Sequence, residues 1–220
     1  MQNSQAKQVL ARNGKSFYWA SLFLGPELAD RAARLYQFCR FVDDLADGDL
    51  PDRLDSLEDI RAGLSDPQHP AVATIPELEA FIALATESNI PLNAAGELLD
   101  GMLRDQHPTA LETEAELLRY CHAVAGTVGL MMCRVLNCQY ARADAFAIDL
   151  GVAMQLTNIA RDVLEDAKMD RRYLPASWFA VSISPADIAH ASNDTHIPVA
   201  AAINQLLELA DQYYASALIG

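Results

Sequence analysis

Apolar side chains along this sequence recur at intervals of three and four residues, as Leu28, Leu35 and Phe38 illustrate, and no sustained stretch alternates with period two. That repeat is typical of amphipathic helices, so the pattern predicts an all-α protein. Breakers such as Gly25-Pro26 separate the helices, which we predict at 27–47, 54–64, 75–88, 92–105, 114–138, 142–167 and 198–218. Thr113 and Glu116 predict a capping box, with Thr113 at the N-cap and Glu116 at N3.

Length and composition indicate a single domain over residues 1–220, because 51% hydrophobic residues can bury one substantial core. A formal net charge of -14 removes the cationic surface that would attract nucleic acid or anionic lipid. The longest run of apolar and small residues, Val124 to Cys133, is too short to cross a bilayer. The four cysteines lack metal-binding spacing. We therefore expect a cytoplasmic protein with at most peripheral contact at the inner membrane, and its oligomeric state does not follow from the sequence.

Three carboxylates, Asp43, Asp44 and Asp47, close an otherwise apolar predicted helix. Asp43 and Asp47 share a face at i and i+4, where like charges oppose each other by about 0.2–0.5 kcal/mol. A divalent cation bound between the two carboxylates would make their proximity favourable instead of unfavourable. The alternative is an ordinary solvated helix terminus.

A second polar stripe runs along the predicted helix 142–167. At about 100° per residue, Gln155, Asn158, Asp162 and Asp166 fall within an arc of about 80°, where a helix facing a core should be apolar. Mg²⁺ prefers such oxygen ligands and usually bridges a couple of carboxylates to phosphates. The two stripes together predict a diphosphate held through Mg²⁺, whereas the second stripe alone could be a surface.

Basic residues accompany both stripes, since Arg40 lies one turn before Asp43 and Arg161 directly precedes Asp162. Arginine and lysine are common phosphate partners. A helix salt bridge between Arg40 and Asp44 is the alternative. Further phosphate candidates are Lys15, Ser16, Arg171, Arg172 and Tyr173.

An apolar face of the predicted helix 114–138 is interrupted by Gly126 and Gly129, and Gly151 lies one turn before Gln155. Small residues leave room for a ligand tail or for a neighbouring helix, and helix packing is the more frequent reason. The face comprises Tyr120, Val124, Thr127, Val128 and Met131.

Five segments, in order, resemble the phytoene/squalene synthase family, and most of all the bacterial phytoene synthases. They are Lys15-Ser16-Phe17, CRFVDDLAD (39–47), GMLRD (101–105), YCHAVAGTVGLMM (120–132) and QLTNIARDVLEDAKMDRRYLP (155–175). The resemblance implies the isoprenoid-synthase helical fold, with a central cavity between two aspartate-rich helices. Family members continue through further C-terminal helices, which we expect to be missing here. The family usually has His-Ser where this chain has Asn13-Gly14.

The resemblance also implies a reaction and its residues. Two geranylgeranyl diphosphates would join head to head through prephytoene diphosphate, as in 15-cis-phytoene synthase of carotenoid biosynthesis, with Mg²⁺ or Mn²⁺ and without NADPH. Metal ligands would be Asp43, Asp44, Asp47, Asn158, Asp162 and Asp166. Catalytic residues would be Tyr120, Asp105, Arg40 and Arg161. Substrate contacts would be Lys15, Ser16, Phe17, Arg40, Val124, Val128, Gly151, Gln155, Arg161, Arg172 and Tyr173.

Other functions remain open on the sequence alone. A squalene or dehydrosqualene synthase would use farnesyl diphosphate instead. A non-catalytic family relative could serve as an assembly factor, although such a protein should have lost acidic positions. A nucleotide diphosphatase would have no reason for the 120–132 segment, and a terpene cyclase would release a cyclic product from one prenyl diphosphate.

Overall fold

The structure is a computed structural model that describes residues 2–48, 52–138, 140–190 and 193–220. It is all-helical, as the apolar periodicity predicts. The α-helices are α1 (Gln2–Asn13), α2 (Lys15–Ser21), α3 (Pro26–Asp47), α4 (Arg53–Ser65), α5 (Pro70–Thr74), α6 (Pro76–Ser88), α7 (Leu92–Arg104), α8 (Glu114–Cys121), α9 (Thr127–Val135), α10 (Ala143–Lys168), α11 (Pro185–Ala189) and α12 (Asn193–Ala217). Two-residue strands β1 (Thr109–Ala110) and β2 (Arg171–Arg172), a π-helical turn (His122–Gly126) and a 3₁₀ turn (Ala176–Trp178) complete it.

The predicted helices match their observed counterparts within a few residues, with two exceptions. The predicted helix 114–138 is interrupted by the π-helical turn and ends at Val135, and helix α12 begins at Asn193 rather than at residue 198. At Thr113 the side chain accepts from the backbone N–H of Glu116, so the predicted N-cap is confirmed. The Glu116 carboxylate accepts from the N–H of Glu112 instead of Thr113.

The chain divides into two compact units, and the first comprises Met1–Leu103 and Leu130–Ala143. Helices α3 and α6 meet in its core, where the rings of Phe38 and Phe81 stack with centroids 3.9 Å apart. Arg31 and Arg34 of α3 both reach the Glu87 carboxylate, at 3.1 and 2.8 Å. These contacts fix the helix whose last turns carry the first acidic cluster.

The second unit comprises Arg104–Gly129 and Asp144–Gly220. Its core takes buried side chains from α8, α10 and α12, including Leu117, Leu156 and Leu206. The π-helical turn and the start of α9 approach α10 backbone to backbone. A Cβ on Gly129 would lie 2.0 Å from the Ala147 carbonyl oxygen, so this crossing requires a residue without a side chain.

Strands β1 and β2 pair in parallel, and the pairing continues past both strands. The N–H of Leu111 donates to the Arg172 carbonyl at 3.0 Å, and the N–H of Ala176 donates to the Leu111 carbonyl at 2.9 Å. This seam fixes the segment that follows α10 against the segment that follows α7. None of the helices in the described part of the chain combines the length and apolar character that a membrane span requires.

Candidate active site

The first acidic cluster lies at the C-terminal end of α3, in the first unit. Arg40 Nη1 donates to Asp43 Oδ2 at 2.9 Å, and the same guanidinium pairs with Asp44. Burial and the neighbouring charge of Asp47 raise the pKa of Asp43 above its ordinary value, against the opposing effect of Arg40. The helix salt bridge of Arg40 is therefore present, yet it does not compensate the negative charge of the cluster.

The second acidic stripe lies on α10, in the second unit. Arg161 binds Asp162 through two donors, at 2.6 and 2.5 Å, and this pairing lowers the pKa of Asp162. Asp166, one turn later, is half-buried. Burial, followed by the charge of Asp162, raises the pKa of Asp166 to about 6. The amide of Asn158 lies 3.5 Å from Gln155 Oε1, and the continuous helix α10 carries Asp162 and Asp166 four and eight residues after Asn158, on the same side.

Both acidic sets offer the oxygen ligands that Mg²⁺ accepts, and each contains a carboxylate that the protein itself leaves poorly compensated. Within the described residues, no three His, Cys, Asp or Glu side chains come together as a ready metal cage. Mg²⁺ does not require one, because it commonly binds one or two carboxylates and completes its shell with water and substrate phosphates. The donor sets on α3 and α10 fit that mode of binding.

A third cluster, also in the second unit, joins Asp105 to two tyrosines. The hydroxyls of Tyr120 and Tyr173 both donate to Oδ2 of Asp105, at 2.9 and 2.7 Å. The two rings stack with centroids 4.6 Å apart and planes inclined by 17°. Burial, with the charge of Asp105 as the next cause, raises the pKa of both hydroxyls. Both tyrosines therefore stay protonated at neutral pH, and each presents a hydroxyl oxygen whose own proton points at a carboxylate.

Arg171 and Arg172 follow α10 in extended backbone and have different environments. Arg171 donates from Nη2 to the backbone carbonyl of Asp105 at 2.9 Å. Arg172 is only 6% exposed and donates from Nη1 to the carbonyls of Leu111 and Leu174, at 3.0 and 2.5 Å. These two bonds occupy Nη1, whereas Nη2 lies 3.7 Å from Glu112 Oε1, and the predicted diphosphate contact of Arg172 stays a prediction. Arg171 borders a cleft lined by Ile159, Val163, Asp166, Arg171, Arg172, Tyr173, Leu174 and Ile188.

Gly151 packs against the backbone of Ala125 and Gly126 in the structure. A Cβ there would lie 2.3 Å from the Ala125 carbonyl oxygen, so the glycine permits α10 to approach the π-helical turn. Val124 and Val128, on the same segment as Ala125, are partly exposed. The predicted contacts Lys15, Ser16 and Phe17 lie in α2, and their side chains are outside the described residues. Substrate contact by all of these remains a prediction.

Comparison with known proteins supplies the context for these clusters. A family model described as squalene/phytoene synthase matches residues 10–220. A phytoene synthase from Pseudescherichia vulneris is 34% identical over 98% of this chain and 72% of its own length. A 15-cis-phytoene synthase from a Paracoccus species is 34% identical over 97% of this chain and 71% of its own length. The crystal structure of a dehydrosqualene synthase in complex with ligand is similar at a TM-score of 0.81 and 29% identity, over 99% of this chain and 76% of that one.

Proposed function

This chain belongs to the squalene/phytoene synthase family, and we propose that it joins two geranylgeranyl diphosphates head to head to give phytoene. The observation that carries this proposal is the Asp105 cluster, in which two stacked tyrosines share one carboxylate oxygen. It lies in the same unit as a carboxylate stripe suited to Mg²⁺. A site that must ionise a diphosphate and then move a proton requires both components, whereas a simple binding module requires neither.

The acidic residues and their basic neighbours act on the diphosphate. We assign metal binding to two sets of oxygen ligands, and diphosphate binding to Arg40 and Arg161. Mg²⁺, or Mn²⁺ in its place, would supply positive charge that assists departure of the diphosphate when it is bound there. Arg161 is exposed and bonded to Asp162, so it must exchange this partner for a phosphate oxygen. The two metal-binding sets are Asp43, Asp44 and Asp47 on α3 and Asn158, Asp162 and Asp166 on α10.

The reaction has two ionisations. In the first, the allylic C–O bond breaks and diphosphate leaves with the electron pair. The double bond of the second substrate captures the cation, and loss of a proton closes a cyclopropylcarbinyl diphosphate. In the second, the remaining diphosphate leaves, the carbon skeleton rearranges, and loss of another proton gives the 1-1′ linked hydrocarbon.

The Asp105 cluster is suited to the proton steps. The Tyr120 hydroxyl oxygen can accept a substrate proton while its own proton passes to Asp105 Oδ2, 2.9 Å away. The stacked ring of Tyr173 adds an aromatic face, which attracts positive charge. In this assignment Tyr120 and Asp105 are catalytic residues, and Tyr173 contacts the substrate.

A second candidate is a dehydrosqualene or squalene synthase that acts on farnesyl diphosphate. The similarity to a dehydrosqualene synthase structure favours its consideration. The two candidates differ in donor length, and only a squalene synthase would need NADPH; we expect no NADPH requirement. The cytoplasmic location and the peripheral contact with the inner membrane remain predictions.

The test is incubation of the purified protein with Mg²⁺ and geranylgeranyl diphosphate or farnesyl diphosphate, with and without NADPH, followed by mass analysis of the extracted hydrocarbon. Asp43→Ala and Asp162→Ala variants are run in parallel. A C40 hydrocarbon that forms without NADPH and disappears in both variants supports the proposal. A C30 product moves the assignment to the second candidate. No product from either substrate, with Mg²⁺-dependent binding of diphosphate also absent, supports a non-catalytic relative such as an assembly factor.

A further inference from the structure

The buried guanidinium of Arg172 leads to an inference about the Asp105 cluster. We propose that Arg172 is a positioning residue, which holds the Tyr173 hydroxyl on Asp105, rather than a ligand of the substrate diphosphate. The effect of this positioning role on catalysis rests on the proposed function, whereas its effect on the geometry of Tyr173 is independent of that function.

The contacts of Arg172 are to backbone oxygens on both sides of the seam. Nη1 donates to the Leu174 carbonyl, two residues along the same segment, and to the Leu111 carbonyl of the other segment. The same Leu111 carbonyl accepts the N–H of Ala176, and the Arg172 carbonyl accepts the N–H of Leu111. One side chain therefore joins the point where β2 ends to the point where β1 ends.

These contacts enclose Tyr173. The bond from Arg172 to the Leu174 carbonyl closes a short loop around residue 173, and the bond to Leu111 anchors that loop. Pro175 follows at once and has no N–H to donate to the seam. The side chain of Arg172 adds a further cross-link between the two backbone bonds of the seam. The direction in which Tyr173 leaves the backbone is set by this loop, and its hydroxyl meets Asp105 Oδ2 at 2.7 Å.

The charge of Arg172 also argues for a positioning role. Burial lowers the pKa of Arg172, and the carboxylate of Glu112, which lies 3.7 Å from its Nη2, is largely exposed. Its Nε is buried and, within the described residues, has no hydrogen-bond partner. Although Arg172 borders the cleft, its Nη1 donates to two carbonyl oxygens, an arrangement that orders backbone.

The experiment compares Arg172→Met with Tyr173→Phe, the double variant, and Arg119→Met as a matched control on an exposed arginine of the same unit. Three measurements are made on the full chain. They are Mg²⁺-dependent binding of inorganic diphosphate, the tyrosine absorbance change on raising the pH while circular dichroism reports the fold, and kcat and KM for condensation. The same three measurements are made on Arg172→Lys, because a lysine retains a donor for one of the two carbonyls.

We expect Arg172→Met to leave the affinity for diphosphate within about twofold and to lower kcat by about tenfold or more at similar KM. In Arg172→Met, Tyr173 should ionise at a lower pH than in the parent, because its hydroxyl leaves Asp105. In Arg172→Lys, the loss of kcat and the change in tyrosine ionisation should both be smaller. The double variant should be no slower than Tyr173→Phe, because the two residues act in series. Arg119→Met should match the parent.

The inference is overturned if Arg172→Met weakens diphosphate binding by about tenfold or more, or if its rate loss multiplies with that of Tyr173→Phe. It is also overturned if tyrosine ionisation in the folded variant is unchanged. If the parent chain makes no hydrocarbon, the proposed function fails while tyrosine ionisation still decides the role of Arg172. If Arg172→Met does not fold, the same measurements on Arg172→Lys decide. We then expect Tyr173 to ionise at a slightly lower pH than in the parent, and an unchanged ionisation pH contradicts the proposal.

Discussion

The crossing at Gly151 supports a quantitative prediction for Gly151→Ala. The new Cβ would lie 2.3 Å from the Ala125 carbonyl oxygen and 2.7 Å from its carbon, whereas ordinary contact begins at 3.4 Å. Both neighbours are backbone atoms, so α10 and the π-helical turn must separate by about 1 Å to admit one methyl group. Overpacking costs about 1–3 kcal/mol, and contact with backbone places this case at the upper end.

Alanine also gains about 1 kcal/mol over glycine inside a helix, which offsets part of that cost. We therefore expect Gly151→Ala to reduce the free energy of unfolding by about 2 kcal/mol. For a chain of this length that loss lowers the melting temperature by about 4–8 °C. Equilibrium urea denaturation and a thermal scan measure the two quantities on the same protein.

Gly96→Ala is the matched control, since a Cβ on Gly96 of α7 would meet nothing within 4 Å. This variant should gain up to about 1 kcal/mol from helix propensity alone. The packing explanation of Gly151 is refuted if Gly151→Ala is as stable as Gly96→Ala. A stable Gly151→Ala with weakened prenyl diphosphate binding would show that the glycine makes room for substrate.

Three further predictions concern charge, hydrogen bonding and capping. The folded pKa of Asp166 is raised to about 6 from 3.8, so its ionisation destabilises the fold as the pH rises from about 4 to 6. Metal-free Asp166→Asn should therefore exceed the parent in melting temperature at pH 7 and lose that advantage near pH 4, while Mg²⁺ should stabilise the parent more than the variant. An unchanged difference in melting temperature between the two pH values contradicts this. Tyr120→Phe should lower kcat by about 10²-fold or more with KM nearly constant, and steady-state kinetics showing only a raised KM would remove the proton-transfer role. Thr113→Ala removes a cap bond to Glu116 and should cost about 1 kcal/mol in urea denaturation, whereas a loss near zero would mean that the contact is not a cap.

The sequence predicts the long helices because each buries one apolar stripe, and α3 and α10 begin and end within a residue of the predicted bounds. Helices α1 and α2 were not predicted. Helix α1 is mostly polar, and among its described side chains only Ala6 and Leu10 are buried, so its apolar stripe is too thin to detect. The π-helical turn also leaves no signature in apolar spacing, since one extra residue per turn shifts the stripe by less than its own width.

The candidate site is only partly encoded in local sequence. Helix spacing places Asn158, Asp162 and Asp166 on one face without help from the fold. Asp105 and Tyr173 are 68 residues apart. Family resemblance pairs Asp105 with Tyr120 as catalytic residues and gives Tyr173 only as a substrate contact, so the cluster of three is not predicted. Successive residues in extended backbone point to opposite sides, and local sequence does not tell which of Arg171 and Arg172 would meet a phosphate.

The seam between the two strands has a consequence for how this protein reaches its native state. Arg172 and the Leu111 carbonyl are separated by 61 residues, so their contact closes a long loop. Closing this loop costs conformational entropy before the contact can stabilise the fold. Helices α8 and α10 can form from local contacts, whereas the tyrosine pair cannot assemble until the two ends of that loop meet. Refolding should therefore restore helical circular dichroism before the environment of the tyrosines. A chain halted between these events would be helical and compact, and would lack the Asp105 cluster.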